Sequence, residues 1–512
     1  MTAPSSGAAG LDLRLVPAAL TCWSVTAAGI LWGPCASACV LAVAVAATAS
    51  VGWWMRRRTS EPAAVWPGVL AVAVVGVAFT IAVGLRVHDL RQHPIVSRYG
   101  ATATVTVTPG ESPRLLGGSR LMFRGSLQSL DGVESSGRVV VFASVAGYDD
   151  LTAGRPVTFR ARVGRPTRAE LTVAVLSATG EPTLGVAPGW QRMAARVRAG
   201  FADEARSVLP SEQAAMLPAL VLGDTSAVTA QTTTEFRSAG LTHLTAVSGA
   251  NVTIVCGAVL LAAAVVGPRA AAAAAAVALI AFVAVVQPSA SVLRAAVMGG
   301  ITLFAVVSRR RRQAVPALAA SVIALVIAAP ELAVDVGFAL SVSATAALVV
   351  IAPGWSRRLV GRGWPKPLAD AVAIAVAAQL VTAPIVAGMS GTLSLVSVAA
   401  NLAVAAVIPP VTVVGTAAAA LTTLWPAAAA MLIRFTGPEL WWLVHVARWS
   451  ASVPGATATV PSGLPGVVCV AAAGIAVTVL WRWRWGRIGV VVALSGLVAW
   501  TSGHGVGGVG SP

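Results

Sequence analysis

Long apolar runs set the terms for this chain. They occur at 16–32, 34–54 and 64–85, then at 246–267, 270–286, 292–307, 314–329, 336–352, 368–388, 393–408 and 411–425, and finally at 464–480 and 488–500. Most approach the ~20 residues that a helix needs to cross the hydrocarbon of a bilayer. Of the 512 residues 57% are hydrophobic and 11% charged, which is too apolar for a soluble globule. The pattern predicts a polytopic α-helical membrane protein of roughly 11 to 13 transmembrane helices.

Charge placement orients those helices. The formal net charge is +17, but many of the arginines stand at the ends of apolar runs, as orientation in a bilayer requires. With the N-terminus inside, Arg56–Arg58, Arg309–Arg312, the group Arg357, Arg358, Arg362 and Lys366, and the group Arg482, Arg484 and Arg487 all face the cytoplasm. Net charge therefore supports nucleic-acid binding only weakly. The first run is followed by a second after a Gly-Pro turn, so the pair reads as a membrane hairpin and not as a cleaved signal. Residues 426–463 fall outside, where Glu439, Trp441, Trp442, His445, Arg448 and Trp449 predict an aromatic amphipathic helix in the outer interface. The five cysteines, Cys22, Cys35, Cys39, Cys256 and Cys469, lack zinc-like spacing.

The same orientation delivers residues 86–189 to the outer face. Residues 102–108 alternate Thr with Ala or Val, and further strand-like runs appear at 121–130, 138–144, 157–163 and 171–178. Five short strands separated by Gly, Pro and Asp turns predict a small all-β barrel or sandwich. Five is also the strand count of an oligonucleotide-binding (OB-like) barrel. Arg155, Arg160, Arg162, Arg165 and Arg168 give the late strands a basic rim, read either as DNA-binding residues or as a solvated face. Residues 190–209 form a basic amphipathic pattern, with Arg192 and Arg196 opposite Met193, Val197, Phe201 and Val208, suited to a membrane surface.

Residues 235–256 concentrate the chemistry. They crowd an acid, a base, a histidine, threonines, serines and an asparagine against the mouth of an apolar run, where each polar group must find a partner. Gly240 and Gly249 permit a break in helix, which membranes tolerate only where backbone is buried in protein or lines water. This points to a pore or substrate site built from Glu235, Arg237, Thr242, His243, Ser248 and Asn251, with Asp224 just upstream. The plainer reading is a capping turn, with Ser248 or Asn251 capping the next helix. Within the later runs Arg294, Asp335, Gln379 and Asn401 are costly in hydrocarbon and should turn inward. Gln379 and Asn401 read singly as interhelical glue, whereas Arg294 and Asp335 invite an ion pair.

These residues carry a resemblance. Leu217, Ala219, Leu220, Gly223, Asp224, then Phe236, Gly240, Leu241, His243, Leu244, Ala246, Val247, Ser248, Gly249 and Val252 resemble the signature of the ComEC family of competence channels. Three further matches follow in order: Pro288, Ser289, Leu293, Arg294, Ala295 and Met298; Asp335, Gly337, Phe338, Leu340, Ser341 and Thr345; Pro384, Asn401, Leu402 and Pro409. The chain departs where the family usually places Leu-His after Ser-Gly, here Ala250 and Asn251, and Gln after Gly-Phe, here Ala339.

The resemblance implies an inner-membrane, multi-pass channel that imports single-stranded DNA during natural transformation. It also implies an OB-like domain ahead of the channel and partners that include membrane lipid, a DNA receptor, a cytoplasmic motor and a separate nuclease, with homo-oligomerisation left open. Many members end in a metallo-β-lactamase-like domain. Here the chain stops soon after its last run, and no two of His88, His93, His243, His445 and His504 are separated by a single residue. The expectation is no metal, no cofactor and no enzymatic activity in this chain. The expected division is 1–85 for N-terminal helices, 86–189 for the β-domain, 190–209 for the linker helix, 210–461 for the channel domain and 462–512 for C-terminal helices. Two rivals stand beside this reading: a secondary transporter of a small solute, and a membrane hydrolase with Ser248 as nucleophile and His243 or Asp224 as partner.

Overall fold

The computed structural model describes residues 12–480 except 59–64, 112, 117–118, 149–150, 169, 246, 287–289 and 308–313. The expected run at 488–500, the arginines at 309–312 and 482–487, and Pro288 and Ser289 lie outside the described residues. Three helices open the chain, α1 (Val16–Trp32), α2 (Pro34–Arg58) and α3 (Val65–Gln92). Six strands follow: β1 (Thr102–Pro109), β2 (Arg114–Leu115), β3 (Arg120–Leu130), β4 (Val133–Ser144), β5 (Val157–Gly164) and β6 (Ala174–Leu184). Next come α4 (Gly189–Val208), α5 (Ser211–Leu222), α6 (Ala230–Ser238), α7 (Gly249–Ala262), α8 (Pro268–Val286), α9 (Ala290–Val307), α10 (Ala314–Ala328) and α11 (Val336–Ala346). A π turn at Ala347–Ile351 leads into α12 (Ala352–Val360) and α13 (Lys366–Ser390). The described chain finishes with β7 (Thr392–Ser394), α14 (Ser397–Val404), α15 (Ile408–Leu421), α16 (Pro426–Phe435), α17 (Gly437–Ser452), β8 (Thr457–Thr459) and α18 (Leu464–Leu480).

Among the described residues five helical segments are long and apolar enough to cross a membrane: Pro34–Trp54, Pro67–Arg98, Pro268–Val286, Val336–Val360 and Lys366–Ser390. The pair α14 and α15, bent by 54° at its break, makes a sixth if it is one span. The expected 11 to 13 counted shorter helices as well, and the last expected run lies outside the described residues. α1, α7, α10 and α18 fall on predicted runs but reach only 14–17 residues. Pro and Gly cut the apolar stretches short: α1 ends at Gly33 before Pro34, and α15 starts on Pro409 and Pro410, whose rings cannot continue a preceding helix.

The chain divides into two compact units, 1–196 with 280–339, and 197–279 with 340–512. The first contains the β-domain. Alternation in β1 sends Ala103, Val105 and Val107 inward and Thr102, Thr104 and Thr106 outward, and β5 does the same with Val157, Phe159, Ala161 and Val163. The strands run in the order β1-β5-β6-β4-β3, and β3 pairs again with β1, so the sheet closes into a five-stranded barrel with β2 appended to β3. All pairs are antiparallel except β4 with β6. Closure depends on Gly125. A Cβ there would stand 2.6 Å from Val107 Cγ1 and 2.7 Å from the Thr108 carbonyl oxygen, so any larger residue would force β3 away from β1. The β3–β4 hairpin turns through Asp131 and Gly132, both at positive φ, the combination that type I′ hairpins require. Asp131 Oδ1 also accepts a hydrogen bond from Thr104 N at 2.9 Å and Oδ2 pairs with Arg98 at 2.9 Å.

Phe123, Val141, Val157, Val163 and Leu176 are fully buried in one core with Tyr148 and Ile95. Each large side chain there contributes about 1.5–3 kcal/mol of transfer free energy. Within the same unit Leu171 packs with Ile30 and Val83, and Arg138 on β4 pairs with Glu331. Trp23 on α1 donates to the Ala333 carbonyl at 2.8 Å and meets Phe338 edge-on at 5.4 Å.

In the second unit α5 is buried on every side from Ala214 to Leu222, the mark of a central helix. α15 packs against both α5 and α7, and α13 packs against α18 beside a two-stranded ribbon of β7 and β8. α17 turns Leu440, Leu443, Val444 and Ala447 inward and leaves Trp441, Trp442 and Trp449 exposed. The expected aromatic amphipathic helix therefore exists over these residues.

Candidate nucleic-acid path

The polar stretch is built as a chain of short helices with its breaks pinned from outside. α5 ends at Gly223, and Asp224 Oδ1 accepts from Ser226 N at 3.1 Å, which turns the chain. Thr229 then caps α6 by accepting from Thr232 N at 3.1 Å. At the end of α6 the backbone reverses through Gly240, φ +72°, directly against Ser397 of α14. A short 3-10 turn at Thr242–Leu244 leads to α7.

Several polar residues singled out by sequence prove to be latches. Asn251 is 5% exposed, donates from Nδ2 to the Leu220 carbonyl at 2.8 Å, and accepts from Ser248 Oγ at 3.1 Å. It thereby ties the start of α7 to α5. The Ser248 side chain makes no capping bond to the α7 backbone, which corrects the capping reading for this residue. Asn401 donates from Nδ2 to the Ser397 carbonyl at 2.8 Å and stands 3.5 Å from the Gly240 carbonyl; Ser397 Oγ donates to Gln379 Oε1 at 3.0 Å. Ser394 Oγ donates to the Ser238 carbonyl at 2.7 Å. The Gln379–Ser397 bond joins α13 to α14 as interhelical glue, whereas the short Asn401 bond lies within α14.

Glu235 holds a different position. Its side chain is 14% exposed, accepts from Gln231 Nε2 at 3.0 Å and faces Arg448 Nε at 3.7 Å. Arg448 in turn donates to Glu212 Oε1 at 2.6 Å, so one guanidinium joins α17 to α5 and α6. Sequence reasoning left Glu212 out and read Arg448 only as an interfacial residue. No spacing signal could have linked positions 236 residues apart. Arg198 of α4 was also missed; burial pulls its pKa down from the ordinary guanidinium value, and Asp224 opposes that shift. Arg237, Thr242 and His243 are exposed, which distinguishes them from the latches.

Arg294 and Asp335 belong to the unit that carries the barrel. Arg294 is 6% exposed, with Nη1 3.2 Å from Met298 Sδ. Asp335 Oδ1 accepts from Phe338 N at 2.7 Å, which commits that oxygen to the first turn of α11.

The five barrel arginines also separate by role. Arg155 is half-buried and donates from Nε to the Gly185 carbonyl at 2.9 Å. Arg168 lies 4.0 Å from Glu170, and Arg165 lies over the Tyr99 ring at 5.7 Å. Arg160 and Arg162 are exposed on the outer face of β5, where Thr104 and Thr102 of β1 flank them on one side and Thr179 and Ser177 of β6 on the other. Among the described residues no three His, Cys, Asp or Glu side chains gather in a group able to hold a metal.

Comparison with known proteins agrees with where this geometry lies. No curated protein and no solved structure matches the chain. A family model described as Competence protein matches residues 220–485, just over half of the chain, from within α5 past the end of α18. The matched span contains the Gly240 reversal and the latches on both of its sides, and the chain belongs to the Competence protein family.

Proposed function

We propose that this chain is the inner-membrane conduit through which single-stranded DNA enters the cell during natural transformation. The family match over the broken, latched segment carries the reading, since competence proteins act in DNA uptake. The barrel supports it further. Setting β2 aside, its strands pair as first with second, second with third, first with fourth, fourth with fifth, and third with fifth in parallel, a connectivity that favours an OB-like fold. Its outer face offers the exposed Arg162 to phosphates on the extracytoplasmic side, a charge that suits strands of any sequence.

In this mechanism the strand is gathered on the barrel and passes along the exposed groups Arg237, Thr242 and His243. Asn251, Ser397 and Asn401 hold the broken backbone in shape. The chain binds and guides without cutting; a separate protein degrades the other strand, and a receptor and a motor act on either side. The 54° bend between α14 and α15 favours one second reading, ion-coupled transport of a small solute, because such transporters use broken helices.

Uptake of a selectable DNA marker in a deletion strain tests the proposal. The expected result is loss of transformants while labelled DNA still accumulates outside the inner membrane. Undiminished transformation in a competent host lacking the chain would refute it.

A further inference from the structure

One end of the barrel carries an open cleft of about 400 Å³, lined by Tyr99, Arg162, Arg165, Ser177 and the glycines Gly100 and Gly164. We propose that this cleft is a subsite for a single nucleotide of the DNA strand, with the phosphate on Arg162 and Arg165 and the base against Tyr99. The inference rests on the DNA-uptake reading and narrows it to one place.

Four observations converge there. The volume sits at the low end of the ~300–1,000 Å³ typical of small-ligand sites, which suits one nucleotide. Tyr99 is held rigid, because its hydroxyl donates to the Val173 carbonyl at 2.7 Å, so the ring is ordered before any ligand arrives. Arg165 lies 5.7 Å from the centroid of that ring, so a cation and an aromatic face are presented together. Ser177 stands opposite Arg162 in the β5–β6 register and adds a hydroxyl beside the guanidinium.

The remaining basic residues of the late strands are excluded on geometry. Arg155 is bonded to the Gly185 carbonyl, Arg168 faces Glu170, and Arg160 does not line the cleft. A uniformly basic rim would use all five arginines alike, whereas the cleft uses two.

The test is anisotropy of a fluorescein-labelled oligodeoxythymidine with the full-length chain in neutral-lipid nanodiscs, titrated at several salt concentrations. The double variant R162A/R165A should raise Kd by about tenfold or more and flatten the slope of log K against log salt by about 0.7 for each phosphate it no longer neutralises. Tyr99→Leu should raise Kd about fivefold or more with the salt slope unchanged, and Tyr99→Phe should raise it less than Tyr99→Leu, because only the bond to Val173 that steadies the ring is removed. Arg160→Ala should change Kd by no more than about twofold. Free deoxythymidine monophosphate should compete with the wild-type chain. Thermal unfolding of each variant guards against misfolding.

If Arg160→Ala weakens binding as much as the cleft variants and the mononucleotide does not compete, the subsite is overturned while the DNA reading stands. If the double variant loses binding to anionic vesicles but not to the oligonucleotide, the cleft is a lipid-headgroup site and the proposal fails. If the wild-type chain binds no oligonucleotide, the functional reading falls and the subsite with it.

Discussion

The barrel and the α5–α7 segment solve opposite problems. The barrel has one core of fully buried Val, Leu and Phe and a ladder that repeats from strand to strand. The α5–α7 segment breaks its backbone at Gly223 and Gly240 and recovers order through side chains that reach carbonyls on neighbouring segments, at Leu220, Ser238 and Gly240. In water, burial of apolar area drives assembly. Between helices in lipid that drive is weak, and close packing with polar bonds takes its place. The energy per buried side chain is therefore larger in the barrel, whereas the broken segment depends on individual hydrogen bonds and on the close approach at Gly240.

This contrast is open to measurement, beginning with its largest expected effect. Phe123→Ala should remove about 3–5 kcal/mol from the barrel, because it empties a fully buried site; hydrogen exchange of the barrel strands in the full-length chain reads the loss. Gly240→Val should cost about 2 kcal/mol or more, since φ +72° disfavours any Cβ and Ser397 occupies the space; the midpoint of thermal unfolding in detergent should fall. Asn251→Ala should cost about 1–2 kcal/mol in the same assay, the scale of an interhelical hydrogen bond. A loss as large as that of Phe123→Ala would break the comparison.

The smallest effect sharpens it from the other side. The Tyr148 hydroxyl is buried in the barrel and, among the described residues, has no hydrogen-bond partner. Tyr148→Phe should therefore be neutral or stabilising by about 1 kcal/mol. Burial also pushes the Tyr148 pKa up to about 12 from 10.0. The folded chain then keeps a proton that the unfolded chain loses, so the contribution of this group to stability is full below pH 10 and falls between pH 10 and about 12. That part of the alkaline decline should be missing in Tyr148→Phe, measured by unfolding at a series of pH values.

What the sequence made legible follows the same division. The Thr-Ala-Thr-Val-Thr-Val-Thr run declares β1 because a half-buried strand repeats every two residues. The last strand lies at Ala174–Leu184 and not at 171–178, because Leu171 and Val173 are buried ahead of the strand without belonging to it. Apolar runs located the described helices but not their ends, since a run says nothing of where Pro or Gly will bend it. At the candidate path the unusual residues were visible and their partners were not. Asn251 meets Leu220 through a backbone oxygen, and every residue carries one, so no pattern of letters marks it. The Glu212–Arg448–Glu235 chain was hidden for another reason: its members are ordinary surface-type charges until folding brings them together.

The register of the barrel has a mechanical corollary. β1 begins at Thr102 opposite Arg162, while β6 ends at Leu184 opposite Val157, which pairs in turn with Val107. The polypeptide thus comes in at one pole and leaves at the other, with β5 running between the two. A pull along the chain between α3 and α4 loads the β1–β5 and β5–β6 ladders in shear, with many hydrogen bonds resisting at once, and does not peel them apart one by one. Under such a pull the barrel would yield only when both ladders fail together.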